Sequence, residues 1–272
     1  MNRCSLLRQL ILDKDLKIYG FEWLFKDLFE SNQPNARHAT SYLALALLNR
    51  TKNSFIDQNS KVFLNIDTKF LASGLIEFLP KDYFVFDISM KDLDIEVIQH
   101  MRKNGYQFCL DNIDFSSSWQ KQISSNIKEF KYLKIIASTL DENDLEEIKK
   151  LKKSHTIIAH KVENKTSLDV MINLGIEHFQ GYYISEPNNI SVDMVKLSKK
   201  SVYGVYMLLQ VSPNKSELAE YIEKNEDLRY YFLSYCTNFD FSSNTIYDLI
   251  EEIGITSFSN WVLMLVYSKV AV

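Results

Sequence analysis

From Lys17 to Tyr183, strand-like and helix-like segments alternate, and the strand-like ones are almost continuously apolar. Strands are predicted at Lys17–Phe25, Lys61–Ile66, Tyr83–Ile88, Gln107–Leu110, Tyr132–Ile136, Thr156–Ala159 and Glu177–Tyr183. Such runs fit strands covered on both faces, because a half-exposed sheet would alternate apolar with polar residues. The intervening segments are helical in pattern. In Asp144–Lys153, Leu145, Ile148 and Leu151 form one stripe, and Glu146 stands one turn before Lys150. This order implies an α/β fold with a mainly parallel sheet. The number of units suits a closed TIM-like barrel, while periodicity alone leaves an open, doubly wound sheet as the alternative.

The pattern changes after Pro187. Helices are predicted at Val192–Gln210, Ser216–Lys224, Asp227–Thr237, Ser243–Ile253 and Ser257–Val270, with Ser216 as a cap. The expected division is a barrel over residues 1–190 and an all-α unit over residues 191–272. No repeat or low-complexity linker separates them, so the two should pack together. A chain of 272 residues is long enough for both.

Composition narrows the function. The net charge is −4 and neither part is basic, which argues against a general nucleic-acid binder. Glycines number only 7, so a glycine-rich active-site loop is not expected. Cys4, Cys109 and Cys236 lie far apart, without metal-ligand spacing, and read as reduced thiols of a cytoplasmic protein. The opening MNRCSLLRQLILDKD has only a short apolar stretch soon broken by charge, so no signal peptide is expected. The apolar run Trp261–Tyr267 is too short to cross a bilayer and reads as a buried helix.

Several strand ends carry distinctive residues. In chain order they are YGFEWLFK (Tyr19–Lys26), FLNID (Phe63–Asp67), VFDIS (Val85–Ser89), GYQFCLDN (Gly105–Asn112), YLKII (Tyr132–Ile136), AHKVEN (Ala159–Asn164) and FQGYYISEP (Phe179–Pro187). This ordered set resembles EAL domains, the barrels of cyclic-di-GMP phosphodiesterases, over about two-thirds of the chain. The tail, ELAEYIEKNEDLRYYFLSYCTN (Glu217–Asn238) and IYDLIEEIGITSFSNWVLMLV (Ile246–Val266), resembles the first part of an HDOD domain. The combination resembles bacterial EAL–HDOD signalling proteins.

The resemblance implies a metal set of Glu22, Asn65, Asp87 and Asp111, with Lys134 as the water-activating lysine and Glu163 as a supporting carboxylate. Lys26 stands where active relatives carry a phosphate-contacting arginine, keeping the charge without the bidentate fork. Gln180 belongs to the terminal QGY motif. Against this pattern, Asp87 is one methylene shorter than the family's glutamate. Asn112, Ile136 and His160 stand where the family has acids, and Lys161 stands where it has glycine. DNIDFSSS replaces the family's D-D-F-G-T-G.

Divalent ions need oxygen donors, and hydrolysis on this fold uses a metal pair. The substitutions therefore imply a vestigial pocket formed by Glu22, Lys26, Asn65, Asp87, Asp111, Asn112, His160 and Gln180. No catalytic residue, metal or cofactor is expected. The expected function is a catalytically inactive signalling or scaffold protein, with a protein partner on the barrel face or the HDOD-like helices and a role in bacterial regulation such as motility. The alternative is a cyclic-di-GMP receptor, or a weak phosphodiesterase using Mg²⁺ or Mn²⁺.

Overall fold

The computed structural model describes residues 2–25, 36–48, 60–115, 125–138, 140–194, 197–211, 214–237, 241 and 243–268. Strands β1 (Asn2–Asp13), β2 (Ile18–Phe25), β3 (Lys61–Asn65), β4 (Phe84–Ser89), β5 (Gln107–Ile113), β6 (Tyr132–Ile136), β7 (Thr156–His160) and β8 (His178–Phe179) form a closed ring. Strands β2 to β8 are parallel neighbours in chain order. β1 is antiparallel to both β2 and β8 and closes the ring. The sheet is thus a barrel, and the open alternative is excluded. A ninth strand, β9 (Asn188–Met194), pairs antiparallel with Asn2–Arg8 of β1, so the chain returns to the barrel across the division expected at residue 190.

Side chains alternate with a period of two, which sorts the barrel into layers. Ile11, Phe63, Val85, Cys109, Tyr132 and Ile158 form one fully buried cluster inside the ring. Two residues further along the parallel strands stand Asn65, Asp87, Asp111, Lys134 and His160. The residues between, such as Leu64, Phe86, Leu110, Leu133 and Ala159, join the larger core under the helices. Both faces are therefore covered, which is why the strands read as continuous apolar runs. At Gly20, a Cβ would lie 2.7 Å from the carbonyl oxygen of Lys61 and 3.2 Å from the Phe63 ring. Its absence leaves room for that ring beneath Glu22.

Helices α1 (Ala36–Leu48), α2 (Thr68–Ala72), α3 (Ile95–Lys103), α4 (Glu142–Leu151) and α5 (Lys165–Asn173) surround the barrel. Asp67, Asp94, Asp141 and Asn164 accept from backbone N–H groups at the starts of α2, α3, α4 and α5. These caps fix how the chain turns away from the ends of β3, β4, β6 and β7. On α4 the ion pairs are Glu146–Lys149 at 2.6 Å and Glu147–Lys150 at 3.2 Å, instead of Glu146–Lys150.

The tail comprises α6 (Lys199–Val211), α7 (Lys215–Glu223), α8 (Glu226–Cys236), α9 (Ile246–Ile253) and α10 (Ile255–Tyr267). The helix predicted from Val192 begins at Lys199, because residues 188–194 extend to pair with β1. The cap of α7 is Asn214, which accepts from Ser216 N at 3.0 Å, and not Ser216 itself. Phe232, Tyr235, Phe258 and Trp261 form an aromatic centre, with the Phe232 and Trp261 rings 5.1 Å apart. α10, which carries Phe258 and Trp261, also packs against α1 and the 3₁₀ turn Leu75–Phe78. Asn260 Nδ2 donates to Gly74 O at 3.0 Å across that contact. Leu43 to Leu47 of α1 are all buried, as suits a helix enclosed between two layers. Among the described residues no single helix is long and apolar enough to cross a membrane, and α9 and α10 are bent by 104° where they meet.

Candidate functional site at the barrel mouth

The C-terminal ends of parallel strands converge, so residues far apart in sequence meet over the apolar layer. Lys134 of β6 is fully buried and lies at the centre. Its Nζ donates to Glu22 Oε2 at 2.9 Å and to Asp87 Oδ2 at 2.5 Å. The same nitrogen lies 5.2 Å from the centre of the Phe63 ring below. Glu22 accepts two further bonds, from Asn65 Nδ2 to Oε1 at 2.8 Å and from Gln180 Nε2 to Oε2 at 2.5 Å. Asp111 Oδ2 accepts from Asn112 Nδ2 at 2.5 Å, and Asp111 Oδ1 lies 3.5 Å from His160 Nδ1.

Burial and neighbouring charge decide which of these groups are ionised. For Glu22, burial works against ionisation, but the adjacent Lys134 ammonium outweighs it, helped by the bond from Gln180. The carboxyl is held down at about 2. Asp87 is pushed up to about 7, because full burial together with Glu22 and Asp111 exceeds what Lys134 returns. Burial opposes the charge on Lys134, yet Asp87, Glu22 and Asp111 overcome it and raise its pKa well above the ordinary lysine value. His160 is lowered by burial and by Lys134, so it is neutral at pH 7. The mouth thus contains a fixed cation, a fixed anion at Glu22 and a neutral imidazole.

Of the residues singled out from sequence, Glu22, Asn65, Asp87, Asp111, Asn112, Lys134, His160 and Gln180 come together here. Glu163 is exposed and stands apart from this network. Lys26 lies outside the described residues. Gln9 of β1 was missed: it is buried, accepts from Gln180 Nε2 at 3.1 Å and donates to Ser185 O at 3.3 Å. Its signal was a lone amide within the apolar run Leu6–Leu12. Asn112 and Lys161 both have left-handed backbones, with φ of 56° and 54°. Asn112 falls where the β5–β6 register shifts, so its amide is aimed by a bulge. Gly181 is needed for close approach: a Cβ there would lie 2.3 Å from the backbone N and O of Val162.

No family model matches the chain. The uncharacterized protein YuxH of Bacillus subtilis (strain 168) is 23% identical over 289 residues, covering 99% of this chain and 69% of that protein. The cyclic di-GMP phosphodiesterase CdgJ of Vibrio cholerae serotype O1 is 25% identical over 198 residues, 67% of this chain and 44% of that protein. The chain therefore spans less than half the length of CdgJ. Among solved structures, the EAL domain of Mycobacterium smegmatis DcpA matches with a TM-score of 0.53 and 17% identity, covering 68% of this chain and 93% of that one. Klebsiella pneumoniae BlrP1, in a manganese and cyclic-di-GMP complex, matches with a TM-score of 0.52 and 15% identity, covering 70% of this chain and 57% of that one. At such identities the likeness speaks for architecture. The closed ring of parallel strands sealed by an antiparallel β1, with helices around it, is an EAL-type barrel.

Proposed function

We propose that this chain is a cyclic-di-GMP-type signalling protein that no longer hydrolyses the dinucleotide and acts through protein–protein contacts. One observation carries the reading. The neighbouring ends of β5, β6 and β7 present Asn112, Ile136 and His160 where the resemblance calls for acids, and Ile136 lies in register beside His160. A second divalent ion there would find one carboxylate, Asp111, already accepting from Asn112. A neutral amide, an isoleucine and a neutral imidazole do not offset the dehydration of a hard cation. The residues do not fit a metal pair, so no hydrolytic step is derived through one.

The tail is on this reading an HDOD-like unit joined to the barrel through α10, and it supplies or covers the contact face. On this reading the protein works in the cytoplasm, as its widely spaced cysteines suggest, and serves bacterial regulation such as motility, a role carried over from EAL–HDOD proteins by fold-level analogy. Purified protein incubated at length with cyclic-di-GMP and Mg²⁺ or Mn²⁺ should release no linear dinucleotide. Appearance of that product would sink the reading.

A second reading, a receptor that binds cyclic-di-GMP without turnover, is favoured by the exposed Tyr182 and Tyr183 next to Gln180 at the rim. Aromatic faces there could stack on a base. Calorimetry with cyclic-di-GMP that shows no heat at high ligand concentration would eliminate it.

A further inference from the structure

The N-terminal ends of β2 to β8 meet at the face of the barrel opposite the mouth, and that face is basic although the chain as a whole carries −4. Lys17, Lys61, Lys81, Lys131, Lys152 and Lys153 stand at or just before the starts of β2, β3, β4, β6 and β7, and all but Lys61 are exposed. Among the described residues, none of these lysines pairs with a carboxylate. Lys61 Nζ donates to Asp82 O at 2.6 Å, Lys131 Nζ to Gln107 Oε1 at 3.0 Å and Lys152 Nζ to Leu174 O at 2.5 Å, all uncharged acceptors. Partial burial, and after it repulsion from Lys131, lowers the pKa of Lys61, as expected where cations crowd one another. The nearby acids are largely engaged. Glu177 pairs with Lys14 at 3.0 Å, Glu129 pairs with Arg102 at 2.8 Å, and Asp13 accepts from the backbone N–H groups of Asp15 and Lys17. Asp15 and Asp82 are exposed and offset only part of the charge.

The β1–β2 turn adds an apolar point to this face. Leu16, with φ of 60°, is 76% exposed, and Ile18 is 47% exposed. Leu16 N donates to Asp13 O at 3.0 Å, which with the Asp13 carboxylate bonds holds the turn closed, so the leucine projects from a fixed frame. We propose that this face docks on an anionic lipid bilayer, with the lysines at the headgroups and Leu16 and Ile18 entering the interface. The unpaired cations are all lysines, point charges that suit a fluid array of headgroups; fixed carboxylates or phosphates would favour the bidentate fork of arginine. Nucleic acid would leave the aliphatic tip in water, because its bases stack on aromatic rings. At a bilayer surface, burial of an apolar tip and attraction to anionic lipid add. The mouth then faces away from the membrane. Neither the mouth nor the tail takes part, so this face is independent of the reading above.

The test is co-sedimentation of the full chain with vesicles of phosphatidylcholine alone or mixed with phosphatidylglycerol, at low and at high salt. The chain should pellet with the mixed vesicles at low salt, stay in solution with phosphatidylcholine, and be released by salt. Lys17→Gln combined with Lys131→Gln and Lys153→Gln should weaken binding about a hundredfold, at roughly fivefold per lysine. Leu16→Gly, which suits the left-handed backbone, should weaken it about tenfold without lowering the melting midpoint. All four positions are exposed, so circular dichroism should show folded variants. Absence of pelleting with mixed vesicles at low salt would overturn the proposal, as would equal pelleting with phosphatidylcholine or a Leu16→Gly chain that binds like wild type. Tighter binding to a short DNA duplex than to the vesicles, read by fluorescence anisotropy, would overturn it in favour of a nucleic-acid face.

Discussion

Replacing Glu22 by glutamine keeps its volume and removes its charge. The wild-type carboxylate is almost wholly buried, accepts from Lys134, Asn65 and Gln180, and titrates at about 2 against an ordinary 4.5. A folded-state value below the unfolded one means that the ionised form is bound more tightly in the native protein. The resulting stability is complete above pH 4.5 and is lost as pH falls through 2. A shift of that size corresponds to about 3 kcal/mol at pH 7, falling to about 1.4 kcal/mol at pH 3. Glu22→Gln should forfeit this amount, since one end of the new amide must direct N–H groups at donors that previously met an anion. Urea denaturation of both proteins at pH 7 and pH 3 measures it. The melting midpoint at neutral pH should drop by about 6–12 °C. A loss below about 1 kcal/mol at pH 7, or one that does not shrink at pH 3, would show that Glu22 is not the ionised hub of this network.

Three further outcomes can be checked. Lys161 is exposed with φ of 54°, so Lys161→Gly should stabilise the protein by roughly 0.5–1 kcal/mol, relief of left-handed strain less the glycine entropy cost, as read from denaturant midpoints. Trp261→Ala removes the fully buried ring at the centre of the tail and should cost about 3–5 kcal/mol. Because α10 also packs on α1, circular dichroism and tryptophan fluorescence should report one shared transition; two separated transitions would contradict that coupling. Gly181→Ala places a methyl 2.3 Å from the Val162 backbone and should cost about 3 kcal/mol or more, with loss of soluble protein as the simplest readout.

Much of the barrel was legible because parallel strands buried on both faces leave long apolar runs, and β6 matched its expected span, Tyr132–Ile136. What periodicity did not reveal was closure. That depends on β1, whose apolar residues are interrupted by Arg8 and Gln9. In the structure Arg8 lies over the rings of Phe21 and Trp23, while Gln9 turns inward to Gln180, so both polar residues are accommodated by tertiary contacts that no local pattern records. β9 was hidden for a related reason. NNISVDM carries little strand signal, and its conformation is set by pairing with Asn2–Arg8, far away in sequence. The helix predicted from Val192 failed at its start because that pairing overrode local propensity.

At the mouth, the type of residue at each strand end was readable, but its state was not. Sequence gives Lys134 as a lysine at a strand end, more often a solvated group than a catalytic one. The barrel makes it fully buried, because the layer below is sealed by Phe63 and Tyr132, and inward positions on six strands surround it. Burial of that kind forces pairing: beside Lys134, Glu22 is held low, whereas Asp87 is raised because its own burial and the neighbouring Glu22 and Asp111 exceed what Lys134 returns. Where the resemblance calls for acids, β5, β6 and β7 present Asn112, Ile136 and His160, while β2, β4 and β5 present Glu22, Asp87 and Asp111. Lys134 bonds Glu22 and Asp87 directly, so the ends of β2 and β4 are tied to β6 by buried side chains as well as by the sheet.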